Sequence, residues 1–165
     1  MEIYILRHAI AVPRGTEEYP NDDRPLTETG IQKMKVAAKG IAEVIRDVDL
    51  ILTSPLARAH DTAKIAAKAL RYKHKIELCK ELLPGTSLNS VLEYLVKHKN
   101  KKSIMLVGHE SDLSVIASTL LGSAKPIIEL KKGSVCRIDI TELPLKEPGK
   151  LVWHLTPKHL RALAP

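Results

Sequence analysis

Apolar residues recur along this chain in short continuous runs separated by longer stretches with helical spacing. The short runs predict buried strands, because a strand covered on both faces is apolar throughout. The predicted strands are Glu2–Leu6, Val48–Thr53, Lys75–Leu78, Ser103–Val107, Ser134–Ile140 and Leu151–Leu155.

The stretches between these runs repeat apolar side chains every three or four residues, which predicts helices with one buried face. Thr27 is placed to cap the first helix, and Glu28 suits the positive end of its dipole. The buried stripe of this helix is predicted to be Ile31, Met34, Ala38, Ile41 and Ile45. A second helix is predicted to open at Ser54-Pro55, with the stripe Leu56, Ala59, Ala63, Ala66 and Leu70.

Two further helices are predicted at Ser87–Lys97 and at about 112–121, and Pro157–Pro165 is either a short helix or a frayed tail. Strands that alternate with helices are typical of an α/β fold with a mostly parallel sheet. We therefore predict a single three-layer α/β/α domain over residues 1–165, with helices on both faces of the sheet.

The composition agrees with a globular protein whose core is aliphatic. The chain is 44% hydrophobic and 27% charged, with one Trp and no Phe. Cys79 and Cys136 form no C-x-x-C pair, so we interpret them as reduced, buried thiols. We see no signal peptide before the first strand and no apolar run near the ~20 residues that span a bilayer, which favours a cytoplasmic protein.

The formal charge of +7 suits an anionic partner but does not identify one. Much of that charge lies on predicted helix faces and is typical of a solvated surface, as at Lys33, Lys35, Lys39, Lys64 and Lys68. Aromatic residues are too few for a base-stacking platform. We therefore expect neither a nucleic-acid partner nor a membrane partner.

Three segments place basic side chains directly after or just beyond a predicted strand. Arg7-His8 follows the first strand, Arg58 lies just beyond the second, and His109 follows the strand at 103–107. In an open α/β sheet the ligand crevice lies outside the carboxyl ends of the strands. Several cations at one rim repel each other unless an anion lies between them, so this pattern predicts a phosphoryl site.

Each of these residues also has a simpler interpretation when it is taken alone. Arg7 could be a surface charge, Arg58 an exposed helical arginine, and His109 a helix cap. The other histidines show no such pattern and are interpreted as structural or surface residues: His60, His74, His98, His154 and His159. No H-x-x-x-H motif or Cys/His cluster indicates a zinc site.

Several motifs in the same order resemble those of the histidine phosphatase superfamily, which is phosphoglycerate mutase-like. The resemblance is greatest to its short branch, the SixA-type phosphohistidine phosphatases, and it covers nearly the whole chain. The motifs are Arg7-His8-Ala9, Arg24 to Gly30, Thr53 to Ala59, Asp61-Thr62-Ala63 and Gly108-His109-Glu110. Ala9 departs from the Gly that often ends the first motif.

The resemblance implies that His8 is the nucleophile and forms a transient phosphohistidine. Arg7, Arg58 and a protonated His109 would then hold the phosphoryl oxygens, with Arg24 as a further contact. Such a clamp does what magnesium does in kinases, so we predict no metal and no other cofactor. The short chain also implies a shallow, open site.

The proton donor to the leaving group is less defined. Glu81 lies about where larger relatives carry their general acid, and Asp22 and Asp23 are alternatives. A phosphohistidine substrate would need little help, because imidazole is a far weaker base than an alkoxide. Glu110 is expected to serve a helix N-terminus rather than the chemistry.

Three functions stay open at this point. The leading prediction is hydrolysis of phosphohistidine on a protein, with inorganic phosphate as product. The first alternative is a phosphatase of a small phosphorylated metabolite. The second is a non-catalytic basic module that binds phosphorylated ligands, for which affinity would fall steeply with salt.

Overall fold

The computed structural model describes residues 1–165 and is built around a six-stranded sheet with the order β3-β2-β4-β1-β5-β6. The strands are β1 (Glu2–Arg7), β2 (Leu50–Thr53), β3 (Glu77–Leu78), β4 (Ser103–Gly108), β5 (Val135–Asp139) and β6 (Lys150–Leu155). The first four run parallel to one another, whereas β5 and β6 are antiparallel to their neighbours. The predicted mostly parallel sheet is confirmed.

Five helices cover the sheet: α1 (Glu28–Val44), α2 (Ala57–Ala69), α3 (Leu88–Val96), α4 (Asp112–Leu120) and α5 (Pro157–Leu163). A short 3₁₀ turn occupies Lys80–Leu82. The Thr27 hydroxyl accepts the Gly30 amide and caps α1, as its position predicted. The C-terminal segment forms a helix rather than a frayed tail.

The start of α2 differs from the sequence prediction. The helix begins at Ala57, so Ser54 and Pro55 lie in the loop before it. No local side chain caps this end; instead, the Asp23 carboxylate accepts the Ala57 amide at 2.7 Å from 34 residues away. A cap supplied from so far along the chain leaves no local signal in the sequence.

Alternate residues of the parallel strands face two separate apolar layers. In β1, Tyr4 and Leu6 pack on the side of α1, α2 and α5, and Ile3 and Ile5 pack on the side of α3 and α4. Most of the predicted stripes agree with this arrangement: Met34 of α1 and Ala63 of α2 are fully buried in the first layer. Leu56, predicted to open the α2 stripe, is instead the half-buried residue before the helix and belongs to neither layer. The predicted three-layer α/β/α architecture is therefore confirmed.

Two smaller predictions can be compared with the same structure. Cys79 and Cys136 are both free and buried, one in the 3₁₀ region and the other in β5. None of the five helices combines the length and the apolarity that crossing a bilayer requires.

Candidate active site

The carboxyl ends of three neighbouring strands bring the predicted site residues together. β4 lies between β1 and β2, with Arg7 opposite Gly108 and Thr53 opposite Val107. The residues that follow these positions therefore emerge at one edge of the sheet. The rings of His8 and His109 lie 5.2 Å apart between centroids.

His8 is held in the tautomer that leaves its outer nitrogen free. Its Nδ1 lies 2.7 Å from the Ala9 carbonyl oxygen, which can only accept, so Nδ1 carries the proton and Nε2 keeps its lone pair. The side chain is only 6% exposed. Burial, followed by the charges of Arg58, Arg7 and Lys132, lowers the pKa of His8 to about 4. His8 is consequently a neutral base at pH 7.

His109 contacts the loop after β2. Its Nε2 lies 2.9 Å from the Ser54 hydroxyl, which also accepts the Leu56 amide at 3.4 Å. Burial, followed by Arg58 and His8, lowers the pKa of His109 to about 3. Without an anion, His109 is therefore neutral at pH 7, whereas the sequence prediction concerns His109 with the phosphoryl group bound. A bound phosphoryl anion would favour the charged form and raise this pKa.

Arg58 is the largest fully buried side chain of the protein, and Asp22 holds it in place. Its Nη2 donates to the Asp22 carboxylate at 2.9 Å, and Nη1 donates to the Asp22 carbonyl. Arg14 and Arg24 also pair with this carboxylate. Burial opposes ionisation, but the hydrogen bond and charge of Arg58, with help from Arg14 and Arg24, keep the pKa of Asp22 below its usual range.

Neither aspartate of the first loop has the geometry of a proton donor. Asp22 is an ionised acceptor for three arginines, and Asp23 accepts the first amide of α2. Arg24 is buried beside them and also donates to the Val12 carbonyl. The structure thus brings Arg24 close to Arg58 through their shared partner Asp22.

Arg7 is oriented from the opposite side of the site by a loop that Glu110 fixes. The Arg7 Nη1 donates to the Leu130 carbonyl at 2.6 Å. Glu110 accepts the Leu130 amide at 2.8 Å and the Ser114 amide, in the first turn of α4, at 3.0 Å. The expectation that Glu110 serves a helix N-terminus is confirmed, and the same carboxylate also holds the loop that aims Arg7.

Three buried nitrogens of this site have no hydrogen-bond partner in the protein. They are Nε of Arg7 and Nε of Arg58, which are donors, and Nδ1 of His109, which is a donor in the tautomer where Ser54 donates to Nε2. A buried donor without a partner costs about 1–3 kcal/mol, so such groups seldom occur without a reason. Their clustering around His8 fits an anion with several acceptor oxygens.

Glu81 shares a cavity with His109. Both residues line a small cavity between the 3₁₀ turn, α3 and α4. The Glu81 carboxylate accepts the Cys79 thiol at 3.3 Å, and burial together with this bond raises the pKa of Cys79 to about 12. Among the three candidate proton donors, Glu81 is the one whose carboxylate is not engaged by arginines or by a helix end.

Ser54 and Thr62 belong to the site but were not predicted to act in it. The Thr62 hydroxyl is fully buried, accepts the Ala9 amide at 3.0 Å and donates to the Arg58 carbonyl at 2.7 Å. One side chain therefore joins the His8 loop to the Arg58 helix. Both residues stand inside motifs that carry the family resemblance, which is the only signal that could have indicated them.

No group of three or more His, Cys, Asp or Glu side chains is placed to hold a metal ion. Two of the five other histidines contact groups outside the site described above. His159 accepts the Thr156 amide at the start of α5, and His98 lies 3.7 Å from Glu77. These placements agree with structural or surface roles.

The profile of the histidine phosphatase superfamily (branch 1) matches residues 3–83, which include His8, Arg58 and Thr62. The chain belongs to the histidine phosphatase superfamily. This membership supports a phosphatase activity.

The chain is 35% identical over 139 residues to an uncharacterized protein of Picosynechococcus sp., covering 82% of each chain. It is 22% identical to the phosphohistidine phosphatase SixA of Escherichia coli, over 98% of this chain and 97% of that one.

Solved structures of other phosphatases share the fold of this protein. The protein histidine phosphatase SixA complexed with tungstate superimposes with a TM-score of 0.84 at 22% identity, over 97% of this chain and 99% of that chain. A mycobacterial glucosyl-3-phosphoglycerate phosphatase gives a TM-score of 0.71 at 17% identity, over 92% and 98%. The same fold therefore accompanies a protein substrate in one relative and a small metabolite in another.

Proposed function

We propose that this histidine phosphatase removes the phosphoryl group from phosphohistidine on a protein in the cytoplasm, through a covalent intermediate on His8. The observation that carries this proposal is the free Nε2 of a neutral His8 among three unpartnered buried nitrogens. A nucleophile with a lone pair and a set of donors for equatorial oxygens are the two parts that phosphoryl transfer needs.

In the first step, Nε2 of His8 attacks phosphorus as the bond from phosphorus to the leaving group breaks. The Ala9 carbonyl stabilises the developing imidazolium by accepting a hydrogen bond from its Nδ1–H. Arg7, Arg58 and His109 donate to the phosphoryl oxygens, where charge accumulates. Arg24 contributes through Asp22, which keeps Arg58 in place.

In the second step, water attacks the phosphohistidine and releases inorganic phosphate and neutral His8. Glu81 is the proposed donor of the proton that the leaving group takes up, and it then accepts a proton from the attacking water. In this mechanism Arg7, Arg58 and His109 offset the charge of the transferred group. We therefore propose that the reaction needs no metal and no other cofactor.

The likeness to SixA along nearly the whole chain favours a protein phosphohistidine as substrate. A small phosphorylated metabolite is the second candidate, since the glucosyl-3-phosphoglycerate phosphatase shares the fold and accepts such a substrate. A non-catalytic phosphate-binding module would have no use for the free Nε2 of His8.

The intermediate can be trapped by acid-free quenching of the enzyme with ³²P-labelled phosphohistidine protein, in the presence of EDTA. We expect label on the wild-type enzyme itself, separated from the substrate protein, that is stable to base and labile to acid. We expect no label on the His8→Ala enzyme. His74→Ala is the matched control, because His74 is exposed and lines a groove with Glu2 and Ser103, at the opposite end of β1 and β4 from His8 and His109. A phosphoenzyme in His8→Ala, or a loss of turnover with EDTA, would contradict the mechanism.

The same preparation distinguishes the candidate functions. Turnover of the phosphoprotein well above that of small phosphate esters supports the protein substrate, and the reverse supports a metabolite. Phosphate binding that weakens steeply with salt, without turnover of any substrate, would instead indicate a binding module.

A further inference from the structure

A small cavity next to His109 has a charge pattern opposite to that of the phosphoryl site. Its volume is about 60 Å³, and most of its lining is apolar, including Leu88, Val91 and Ile116. Two carboxylates, Glu81 and Asp112, also line it, and no lysine or arginine does. The protein as a whole has a net charge of +7, but the charged side chains that line this cavity are negative, so the cavity disfavours an anion.

Both carboxylates are fixed rather than free to turn away. Asp112 accepts the Gly85 amide at 2.9 Å, which ties the start of α4 to the loop before α3. Glu81 accepts the Cys79 thiol at 3.3 Å. Both side chains are half-buried, so solvent screens them less than it screens surface charges.

The position of the cavity connects it to the chemistry. His109 lines it and also lies beside His8, where the phosphoryl group is proposed to bind. The leaving group is bonded to phosphorus, so it must lie within a bond length or two of the phosphoryl oxygens. The cavity is therefore within reach of the leaving group.

We propose that this cavity receives the leaving group and selects for a small, flat, neutral or cationic one, with Asp112 as a specificity-determining residue. The inference rests on the proposed function, because it assumes that the phosphoryl group binds beside His8. On the measure by which one water needs roughly 10–15 Å³, the cavity holds about four or five waters, so it admits the edge of a flat ring rather than a whole sugar or nucleoside. The imidazole of a histidine on a partner protein meets both conditions.

The same charges exclude metabolites that carry a carboxylate near the phosphate. Like charges a few ångströms apart in a half-buried site repel by an amount that corresponds to roughly tenfold or more in affinity. A leaving imidazole that gains a proton becomes a cation, which the carboxylates stabilise. The site thus favours release of imidazole over release of a carboxylate-bearing alcohol.

The test compares three aryl phosphates of similar shape: phenyl phosphate, 4-carboxyphenyl phosphate and 4-(aminomethyl)phenyl phosphate. We expect kcat/KM to fall in the order cationic, neutral, anionic, with about tenfold between the last two. In Asp112→Asn the amide oxygen still accepts the Gly85 amide, but the charge is gone. Because Glu81 keeps its charge, this variant should remove about half of that discrimination on a logarithmic scale, roughly threefold.

Glu93→Gln is the matched control, since Glu93 is an exposed carboxylate of α3 that does not line the cavity. It should leave the ratio unchanged. An unchanged ratio in Asp112→Asn, or a wild type that prefers the anionic substrate, would overturn the proposal. Dissociation constants of the three matching phosphonates give the same comparison without turnover. If they discriminate by charge while no phosphate ester is hydrolysed, the proposed function fails and the cavity's selectivity stands.

Discussion

His8 and His109 are both buried histidines, but their different hydrogen-bond partners suit them to different roles. The Ala9 carbonyl fixes the proton of His8 on Nδ1, which leaves Nε2 with the lone pair that the proposed nucleophile needs. His109 meets a serine hydroxyl instead, and its Nδ1 has no partner in the protein. Burial keeps both rings neutral, so the charge that holds the phosphoryl group comes first from the arginines.

Glu81→Gln tests the proton donor at the level of a single residue. If Glu81 protonates the leaving group, the variant should lose two to four orders of magnitude on an alkyl phosphate, whose alkoxide is a strong base. The loss should be much smaller on nitrophenyl phosphate and on phosphohistidine, because nitrophenolate and imidazole leave readily. The measurement is kcat/KM for all three substrates.

Cys79→Ala tests whether the position of the Glu81 carboxylate matters, since it removes the thiol that donates to Glu81 but keeps the carboxylate. An equal loss on all three substrates in Glu81→Gln would indicate that Glu81 has a structural role. Asp22 and Asp23 are poor substitutes, because one is surrounded by arginines and the other caps α2.

At the scale of elements, the sequence was sufficient for those parts of the fold that local patterns determine. β1, β4 and α1 were predicted within a residue or two, because apolar runs and a Thr cap mark them. The strand ends with Arg7, His8 and His109 also followed from the pattern, since parallel strands present their carboxyl ends together.

Long-range contacts explain what the sequence did not reveal. The start of α2 depends on Asp23, and the orientation of Arg58 depends on Asp22, both more than 30 residues away. Arg7 depends on Leu130, which lies in a loop without a motif. No periodicity or spacing encodes such contacts, so they become visible only in the folded chain.

The contact of Thr62 between two elements makes a testable prediction. Its hydroxyl fixes the Ala9 peptide, whose carbonyl in turn orients His8, and it also bonds the Arg58 carbonyl. Thr62→Val removes both hydrogen bonds with little change in shape, whereas Thr62→Ser keeps them. We expect Thr62→Val to lower kcat by roughly tenfold to a hundredfold, a size typical of a misplaced catalytic group.

A purely structural role for Thr62 would appear as a lower melting temperature with kcat unchanged among the folded molecules. The positioning role instead predicts slower formation of the phosphoenzyme in single-turnover experiments at full saturation. Thr62→Ser should restore that rate, and failure to restore it would assign the defect to packing.

The charge of the whole molecule connects the site to stability. Arginine donors and neutral histidines surround a site suited to an anion. Folding therefore brings together arginines that repel each other until an anion such as phosphate binds. Such a site is expected to cost stability in acid, where unfolded histidines take up protons. It is also expected to recover that stability when an anion binds, by ordinary linkage.

The last prediction concerns stability between pH 6.5 and pH 4. The pKa of an unfolded histidine is about 6.5. In the folded protein the pKa of His8 is about 4 and the pKa of His109 is about 3. In this range the unfolded chain binds more protons than the native state, so the free energy of unfolding falls as the pH falls. At 1.36 kcal/mol per pKa unit, each histidine accounts for about 3 kcal/mol of loss, and because the two titrate together the pair is not a simple sum.

Urea titrations at pH 7, 6, 5 and 4 measure this slope directly. His8→Gln should reduce the slope of the unfolding free energy against pH by roughly the contribution of one histidine. His74→Gln, at an exposed position, should leave this slope unchanged. Saturating inorganic phosphate should stabilise the wild type more at pH 5 than at pH 7, because an anion between the rings favours their charged forms and raises their pKa values. A slope that is the same in His8→Gln and the wild type would mean that the acid sensitivity comes from other groups, and that His8 is not kept neutral by the fold.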